Sequence, residues 1–156
     1  MRYVLKHFTV QEFIPPSIYN KLGDVSIDLM RDEILIFCDA LWDHLNLLRP
    51  GTHLIVNNWF TGGPYSARGF RTDDMTGAKL SEHKKGAAVD LSSMQWKPKD
   101  IRREIMANSA KFQTITRLEK YLDAAHKARG EEINWVHADC KELPAGVNRI
   151  REFVAQ

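Results

Sequence analysis

The clearest hydrophobic pattern in the chain has the period of an α-helix. Apolar residues recur at steps of three and four between charged ones, which predicts an amphipathic helix over residues 27–47. Its apolar positions are Ile34, Phe37, Cys38, Leu41, Leu45 and Leu48. Similar spacing predicts helices over residues 99–107 and 116–129. Near the start, Thr9 and Glu12 have the spacing of a capping box, so a short helix is expected to begin there.

Short β-branched and apolar runs interrupt these helices. They predict strands over residues 52–57, 86–91 and 133–139, while the tail at 147–154 fits a strand or a helix equally well. Residues 58–79 have no period and contain four glycines, which predicts a long loop that forms a cleft wall. The order of elements predicts a single α+β domain in which a small antiparallel sheet of three strands carries the site and packs against helices.

Composition and charge narrow the functional classes. A chain of 156 residues, 44% hydrophobic and 27% charged, is long enough for one core and is not disordered. Basic residues exceed acidic ones by only 22 to 20, which argues against a nucleic-acid partner. The sequence has neither a signal-peptide pattern nor an apolar stretch of membrane-spanning length, so we expect no membrane partner. We expect a monomer, and Cys38 and Cys140 are too few for a disulfide framework or a four-thiolate zinc site.

Two short motifs contain metal-ligand side chains. His83 and Asp90 are seven residues apart across Gly86, which allows a tight turn, and Asp90 would be a buried charge in an apolar run. Along a later predicted strand, the period of two places His137 and Asp139 on one face. Either histidine alone is more often a core or surface residue. Two His and one Asp together form a facial zinc set with a position left for water, which predicts one zinc ion and hydrolytic chemistry.

The motifs extend to a recognisable pattern. Ser-x-His-x-x-Gly-x-Ala-x-Asp occupies residues 81–90, and Trp-x-His occupies residues 135–137. This combination resembles the zinc peptidases of the LAS group, which include D-Ala-D-Ala carboxypeptidases and dipeptidases, phage L-Ala-D-Glu endolysins and the hedgehog proteins. Residues 7–13 and the Gly-Phe-Arg at 69–71 are similar to elements of the small phage and bacterial members. The resemblance implies a hedgehog-like or D-Ala-D-Ala peptidase-like fold.

The resemblance also implies roles for particular residues. His83, Asp90 and His137 match the positions of the zinc ligands. An arginine near the Gly-Phe-Arg element would lie at the substrate cleft, where its fork of donors can hold a peptide carboxylate. Arg71 is the first choice for this role and Arg68 the second, with a solvated loop charge as the alternative for either.

The chain departs from the family at the position of the general base. Catalytic members carry an acid three residues before the second histidine ligand, and here that residue is Asn134, whose amide cannot take a proton. Glu131 and Glu132 could replace it if the chain bends before the strand, or they are a solvated pair, and Asp139 could support a ligand or activate water. Ser81 either hydrogen-bonds the substrate or caps a turn.

Two functions follow from the resemblance. The first is a zinc metallopeptidase that hydrolyses an amide bond of peptidoglycan stem peptides, as a carboxypeptidase or an endolysin-like endopeptidase. The second is a catalytically inactive zinc-binding module of the same fold with a cell-wall-binding or virion structural role, which the amide at Asn134 favours. A metal-free structural domain is weaker because it leaves the Asp90 charge without a cation. In either case we expect a protein made in the cytoplasm that acts on the cell wall after release or is carried in a virion.

Overall fold

The chain alternates short helices with short strands. A computed structural model describes residues 2–75, 77–143 and 150–155, and these ranges contain four α-helices and five β-strands in one α+β domain. The helices are α1 (Pro16–Leu22), α2 (Asp32–Leu48), α3 (Pro98–Ala107) and α4 (Ala124–Arg129). The strands are β1 (Leu54–Ile55), β2 (Ala88–Ser93), β3 (Arg117–Tyr121), β4 (Val136–Asp139) and β5 (Arg151–Val154).

The longest helix, α2, begins later than its apolar spacing predicts. Residues Gly23–Leu29 form a 3-10 helix, and α2 begins at Asp32. Asp32 and Glu33 stand in its first turn, where carboxylates interact favourably with the helix N-terminus. The capping box is present, with the Glu12 carboxylate accepting a hydrogen bond from the backbone N–H of Thr9 at 2.8 Å, but it opens a 3-10 turn. Helix α3 matches its predicted bounds to one residue.

The sheet has five strands in the order β1-β2-β4-β3-β5. All neighbours are antiparallel except β3 and β5, which are parallel. The predicted antiparallel pairing is therefore correct for β1, β2, β4 and β3, whereas the predicted number of three strands is wrong and the edge strand β5 is parallel to its neighbour. A parallel neighbour needs a long connection, and α4 and β4 lie between β3 and β5 along the chain. The ambiguous tail is a strand at residues 151–154, whereas residues 144–149 lie outside the described residues.

The helix predicted over residues 116–129 is wrong in its first half. That half is strand β3, which pairs with β4 on one side and with β5 on the other. Leu118 is fully buried while Leu122 is 45% exposed, so the three- and four-residue spacing does not mark one common face. Helix α4 begins only at Ala124, and the side chain of the preceding residue, Asp123, accepts a hydrogen bond from a first-turn backbone N–H at 2.8 Å.

The two faces of the sheet differ in chemistry. One face is apolar and belongs to a single buried cluster that also contains residues of α2 and α3; its strand residues include Val89, Leu91, Leu118, Val136 and Ala138. Because side chains alternate along a strand, the residues between them point to the opposite face. That face carries Asp90, Glu119, His137 and Asp139. The core therefore supports one side of the sheet, and the polar side chains are collected on the other.

Candidate metal centre

Three side chains with metal-ligating atoms meet on the polar face of the sheet. The register of β2 and β4 pairs Asp90 directly with His137. His83 comes from the 3-10 turn Glu82–Lys85, which leads into β2. Paired residues on neighbouring strands point to the same side, so the pairing of β2 with β4 brings the two sequence motifs together. The structure thus places all three predicted ligands at one site.

The turn that carries His83 depends on the residues at its two ends. Ser81 caps the turn, because its hydroxyl accepts a hydrogen bond from the backbone N–H of His83 at 3.4 Å. Gly86 ends the turn with φ at 64°, a left-handed conformation that favours glycine. A Cβ at this position would also collide with the carbonyl oxygen of Leu29. The serine and the glycine of the motif therefore have a structural role in aiming the histidine.

The ligand atoms have separations close to those of a tetrahedral metal site. Nε2 of His83 lies 3.3 Å from Nδ1 of His137 and 3.4 Å from Oδ1 of Asp90, and the last two atoms are 2.8 Å apart. Tetrahedral zinc with bonds of about 2.0–2.1 Å holds its ligand atoms about 3.3–3.4 Å apart. Two of the three separations already fit, so this buried group can hold a metal ion with one pair moving apart slightly.

Each of the three candidate ligand side chains is oriented by a further contact with a neighbouring residue. Nδ1 of His83 lies 2.7 Å from the carbonyl oxygen of Gly69, which can only accept, so Nδ1 carries the proton and Nε2 offers its lone pair. The second oxygen of Asp90 accepts a hydrogen bond from Nη2 of Arg71 at 2.7 Å. Nε2 of His137 lies 3.4 Å from a carboxylate oxygen of Asp139. Such outer contacts fix the orientation of metal ligands.

The protonation of the metal-free site follows from burial and from the neighbouring charges. Burial lowers the pKa of His83, so this imidazole is neutral at neutral pH. For Asp90, burial opposes ionisation, but the imidazoles of His83 and His137 lower the pKa of the carboxyl below its usual value. Burial also opposes protonation of His137, yet the carboxylates of Asp139 and Asp90 raise the pKa of His137 to about 10. His137 therefore holds a proton that a metal ion must displace.

The two predicted substrate arginines are both engaged in contacts of their own. Arg71 is mostly buried and forms its ion pair with Asp90, so it supports a ligand of the site. Arg68 lies with its guanidinium over the ring of Tyr65, 3.4 Å from the centroid, and Nη1 donates to the hydroxyl of Ser92 at 2.7 Å. Its backbone oxygen accepts a hydrogen bond from the N–H of Asp90, which places the Arg68 backbone beside the metal ligands.

The structure does not bring Glu131 and Glu132 to the site. Glu131 is exposed and pairs with Arg129 at 2.9 Å. Glu132 pairs at 2.7 Å with Arg102, a fully buried arginine that also donates to two backbone carbonyls of residues 133–135. The expected bend before β4 is present, but it turns both carboxylates toward other cations. Of the expected acids, only Asp139 contacts a ligand.

Asp139 supports His137 and is itself neutralised by an arginine. It is fully buried, and its two oxygens accept hydrogen bonds from Nε and Nη2 of Arg117 at 2.8 and 2.7 Å. Arg117 thereby keeps a buried carboxylate ionised behind His137. Burial raises the pKa of Asp139, whereas the contacts with His137 and Arg117 lower it, with a net decrease. An anion held by two charge-assisted hydrogen bonds is a poor proton acceptor but a good support for an imidazole.

Glu119 is the functional candidate that the sequence did not reveal. In the register of β3 and β4 it stands opposite His137, so Asp90, His137 and Glu119 form one row across three strands. Its side chain is almost buried, and within the described residues it makes neither a hydrogen bond nor an ion pair. Burial raises the pKa of Glu119, which leaves a basic carboxylate beside the ligands. Polar and apolar residues alternate only through Arg117, Leu118 and Glu119, which is too short a run to predict a strand.

An open cleft of about 700 Å³ borders two members of this row, His137 and Glu119. Its lining includes Asp139 as well, together with residues 78–82 and residues 153–155. A cleft of this volume accepts several residues of a peptide or another ligand of similar size. Ser81 lines the cleft as well as capping its turn, so both interpretations of this serine fit its position.

No protein-family model matches this chain, and no curated protein and no solved structure matches it significantly. The resemblance to the LAS peptidases therefore depends on the residues of the motifs themselves. None of the helices in residues 2–75, 77–143 and 150–155 combines the length and the apolar composition that a membrane crossing needs.

Proposed function

We propose that this protein is a zinc-dependent peptidase that hydrolyses an amide bond in the stem peptides of peptidoglycan. The observation that carries the proposal is the convergence of His83, Asp90 and His137 at separations of 2.8–3.4 Å, beside a cleft that is lined by His137 and by Glu119, a carboxylate without a partner among the described residues. Two imidazoles and one carboxylate with an open side are a donor set of catalytic zinc sites. The stem-peptide substrate comes from the resemblance of residues 81–90 and 135–137 to the LAS peptidases.

The residues of the cleft provide the remaining parts of a hydrolytic site. Zinc bound there would polarise the scissile carbonyl and lower the pKa of an attacking water toward about 7. Glu119 would be the residue that accepts a proton from the attacking water and donates it to the leaving amide nitrogen, because it pairs with His137 across β3 and β4 and its carboxylate has no partner within the described residues. Arg117 and Asp139 hold His137 in place from the other side.

With Glu119 as the proton acceptor, the amide at Asn134 no longer argues against catalysis. The family position for the base is Asn134, which is exposed and does not line the cleft. Strand β3 offers a carboxylate next to the same histidine from the neighbouring strand instead. Paired residues on neighbouring strands have Cβ atoms about 4.5–5.5 Å apart. The side chain of Glu119 is therefore long enough to reach the space above His137.

The second candidate is an inactive zinc-binding module that binds cell-wall peptides or serves in a virion. It is favoured by the ion pairs of Glu131, Glu132 and Asp139, because all three carboxylates expected to act as the base are neutralised by arginines. In this case the ligand set would organise the cleft for binding, and Glu119 would be a polar residue of its lining.

Incubation of the zinc-loaded protein with purified peptidoglycan of several wall types separates the two candidates. We expect released peptides or amino acids with new amino termini, identified by mass spectrometry, and we expect their loss in Asp90→Asn. A matched control is Asp123→Asn, which changes the half-exposed helix cap of α4 outside the cleft. Cosedimentation with the wall without any released fragment on every wall type would refute the peptidase and support the binding module.

A further inference from the structure

Most charged groups that line the cleft are paired with each other or with neighbours. Arg117 is bonded through two nitrogens to Asp139, and its guanidinium lies over the ring of Phe153 at 4.3 Å. Glu82 is almost buried and pairs with Lys85 at 3.0 Å. The opposite charges of each pair neutralise one another, so these groups offer little net charge to a ligand.

Two lysines that line the same cleft differ from these groups because they have no ion-pair partner within the described residues. Lys79 and Lys141 are both exposed and line the cleft, and neither forms an ion pair within the described residues. Glu119 is the one acid of the cleft lining that has no partner among the described residues, and it pairs with His137 across β3 and β4. The cleft lining is therefore cationic at the two lysines, with both charges available to a ligand, and a bound metal ion would add to the positive potential.

The position of Lys141 relative to the metal ligands is set by its backbone. Its N–H donates to a carboxylate oxygen of Asp139 at 3.1 Å, and its carbonyl accepts from the hydroxyl of Thr116 at 2.6 Å. Lys141 follows His137 by four residues, so its Cα lies at most about 13 Å away at ~3.3 Å per residue. An extended peptide with its scissile carbonyl at the ligands covers this distance with about two to four residues.

The arginines expected to bind a substrate carboxylate do not serve this end of the cleft. Arg71 forms an ion pair with Asp90, and Arg68 is not among the residues that line the cleft. A carboxylate in the cleft would therefore meet the two lysines first. The cleft lining is apolar at Leu80, so a peptide with alternating apolar and acidic groups would suit this surface.

We propose that Lys79 and Lys141 are specificity-determining residues that hold a carboxylate of the peptide, about two to four residues from the bond that is cut. The substrate class is then a peptide with a free carboxylate at that distance, either on a side chain or at the C-terminus. This inference rests on the proposed peptidase function and names the substrate chemistry of the same cleft.

Binding of matched peptides tests this inference without requiring turnover. The probes are a synthetic peptidoglycan stem pentapeptide with free carboxylates, the same peptide with all carboxylates amidated, and two peptides amidated at the side chain or the C-terminus alone. Their dissociation constants are measured with the zinc-loaded wild type, with Lys79→Gln/Lys141→Gln, and with Lys127→Gln, which changes an exposed lysine of α4 outside the cleft. Zinc content is measured for every variant.

We expect the wild type and Lys127→Gln to bind the free pentapeptide about fivefold more tightly than the fully amidated one, and the double variant to lose this preference. The singly amidated peptides then show which carboxylate is held. Equal binding of the two peptides by the wild type, binding of neither, or a preference that persists in the double variant would overturn the proposal.

Cleavage of the same peptides is recorded separately so that the two proposals can fail independently. Carboxylate-selective binding without cleavage of any peptide or wall would contradict the peptidase function and retain the role of the lysines. Cleavage that is equal for free and amidated peptides would contradict the role of the lysines and retain the peptidase function.

Discussion

Zinc binding to the metal-free protein should release a proton from His137. Burial disfavours the imidazolium, but Asp139 and Asp90 together raise the pKa of His137 to about 10. The other two ligands release none at neutral pH, because burial lowers the pKa of His83 and the adjacent imidazoles lower that of Asp90. The structure therefore predicts the release of one proton for each zinc ion that binds near pH 6.5.

The effect on the apparent zinc affinity follows from the difference between the pKa of His137 and the pH of the experiment. At pH 7 a pKa of about 10 weakens the apparent zinc affinity by about 1000-fold, or ~4 kcal/mol, relative to a neutral imidazole. The sign is that of a raised pKa: the proton is held below about pH 10, so the apparent affinity rises about tenfold for each pH unit gained below that value.

Calorimetric titration with zinc in buffers of different ionisation enthalpy counts the released protons directly. Near pH 6.5 the wild type should release one proton per zinc ion, and Asp139→Asn should release less because it removes a carboxylate that stabilises the imidazolium. His126→Gln, a change at a helix residue of α4 outside the ligand set, should behave as the wild type. Release of no proton by the wild type would refute this account of the site.

Two further predictions concern stability. Gly86→Ala should destabilise the protein by more than about 2 kcal/mol in denaturant unfolding, because the Cβ meets a backbone carbonyl at a positive φ, whereas Gly130→Ala should cost only about 1 kcal/mol at a similar φ with open space around it. Equal costs at the two glycines would contradict the close approach at Gly86. Glu132→Gln should lower the free energy of unfolding by about 1–3 kcal/mol, since it weakens the ion pair of buried Arg102, and should leave the activity per folded molecule unchanged. A large loss of activity in the folded variant would return Glu132 to the candidates for the base.

The metal ligands could be predicted from the sequence because the signals that identify them are local. The spacing of His83 and Asp90 around Gly86, and the period of two through His137 and Asp139, need no knowledge of distant contacts. The direct pairing of Asp90 with His137 is a property of the strand register, which the sequence does not reveal.

Glu119 was missed because its segment has the spacing of a helix and the structure of a strand. Pairing of β3 with neighbours on both sides provides hydrogen bonds and burial that outweigh the local preference of five residues. Prediction of Glu119 as a site residue required the order β2-β4-β3, which places it next to His137. Sequence proximity favoured Glu131 and Glu132 instead, although their carboxylates are held by arginines.

The measurement that tests the central claim most directly compares wild type with Glu119→Gln on purified peptidoglycan, with zinc content determined on the same samples. Glu131→Gln is the matched control, because Glu131 is an exposed glutamate outside the cleft. We predict about one zinc ion in all three proteins, release of peptides or amino acids from the wall by wild type and Glu131→Gln, and a loss of this activity of about 100-fold or more in Glu119→Gln. Wild-type protein without zinc, or Glu119→Gln with wild-type activity, would contradict the account.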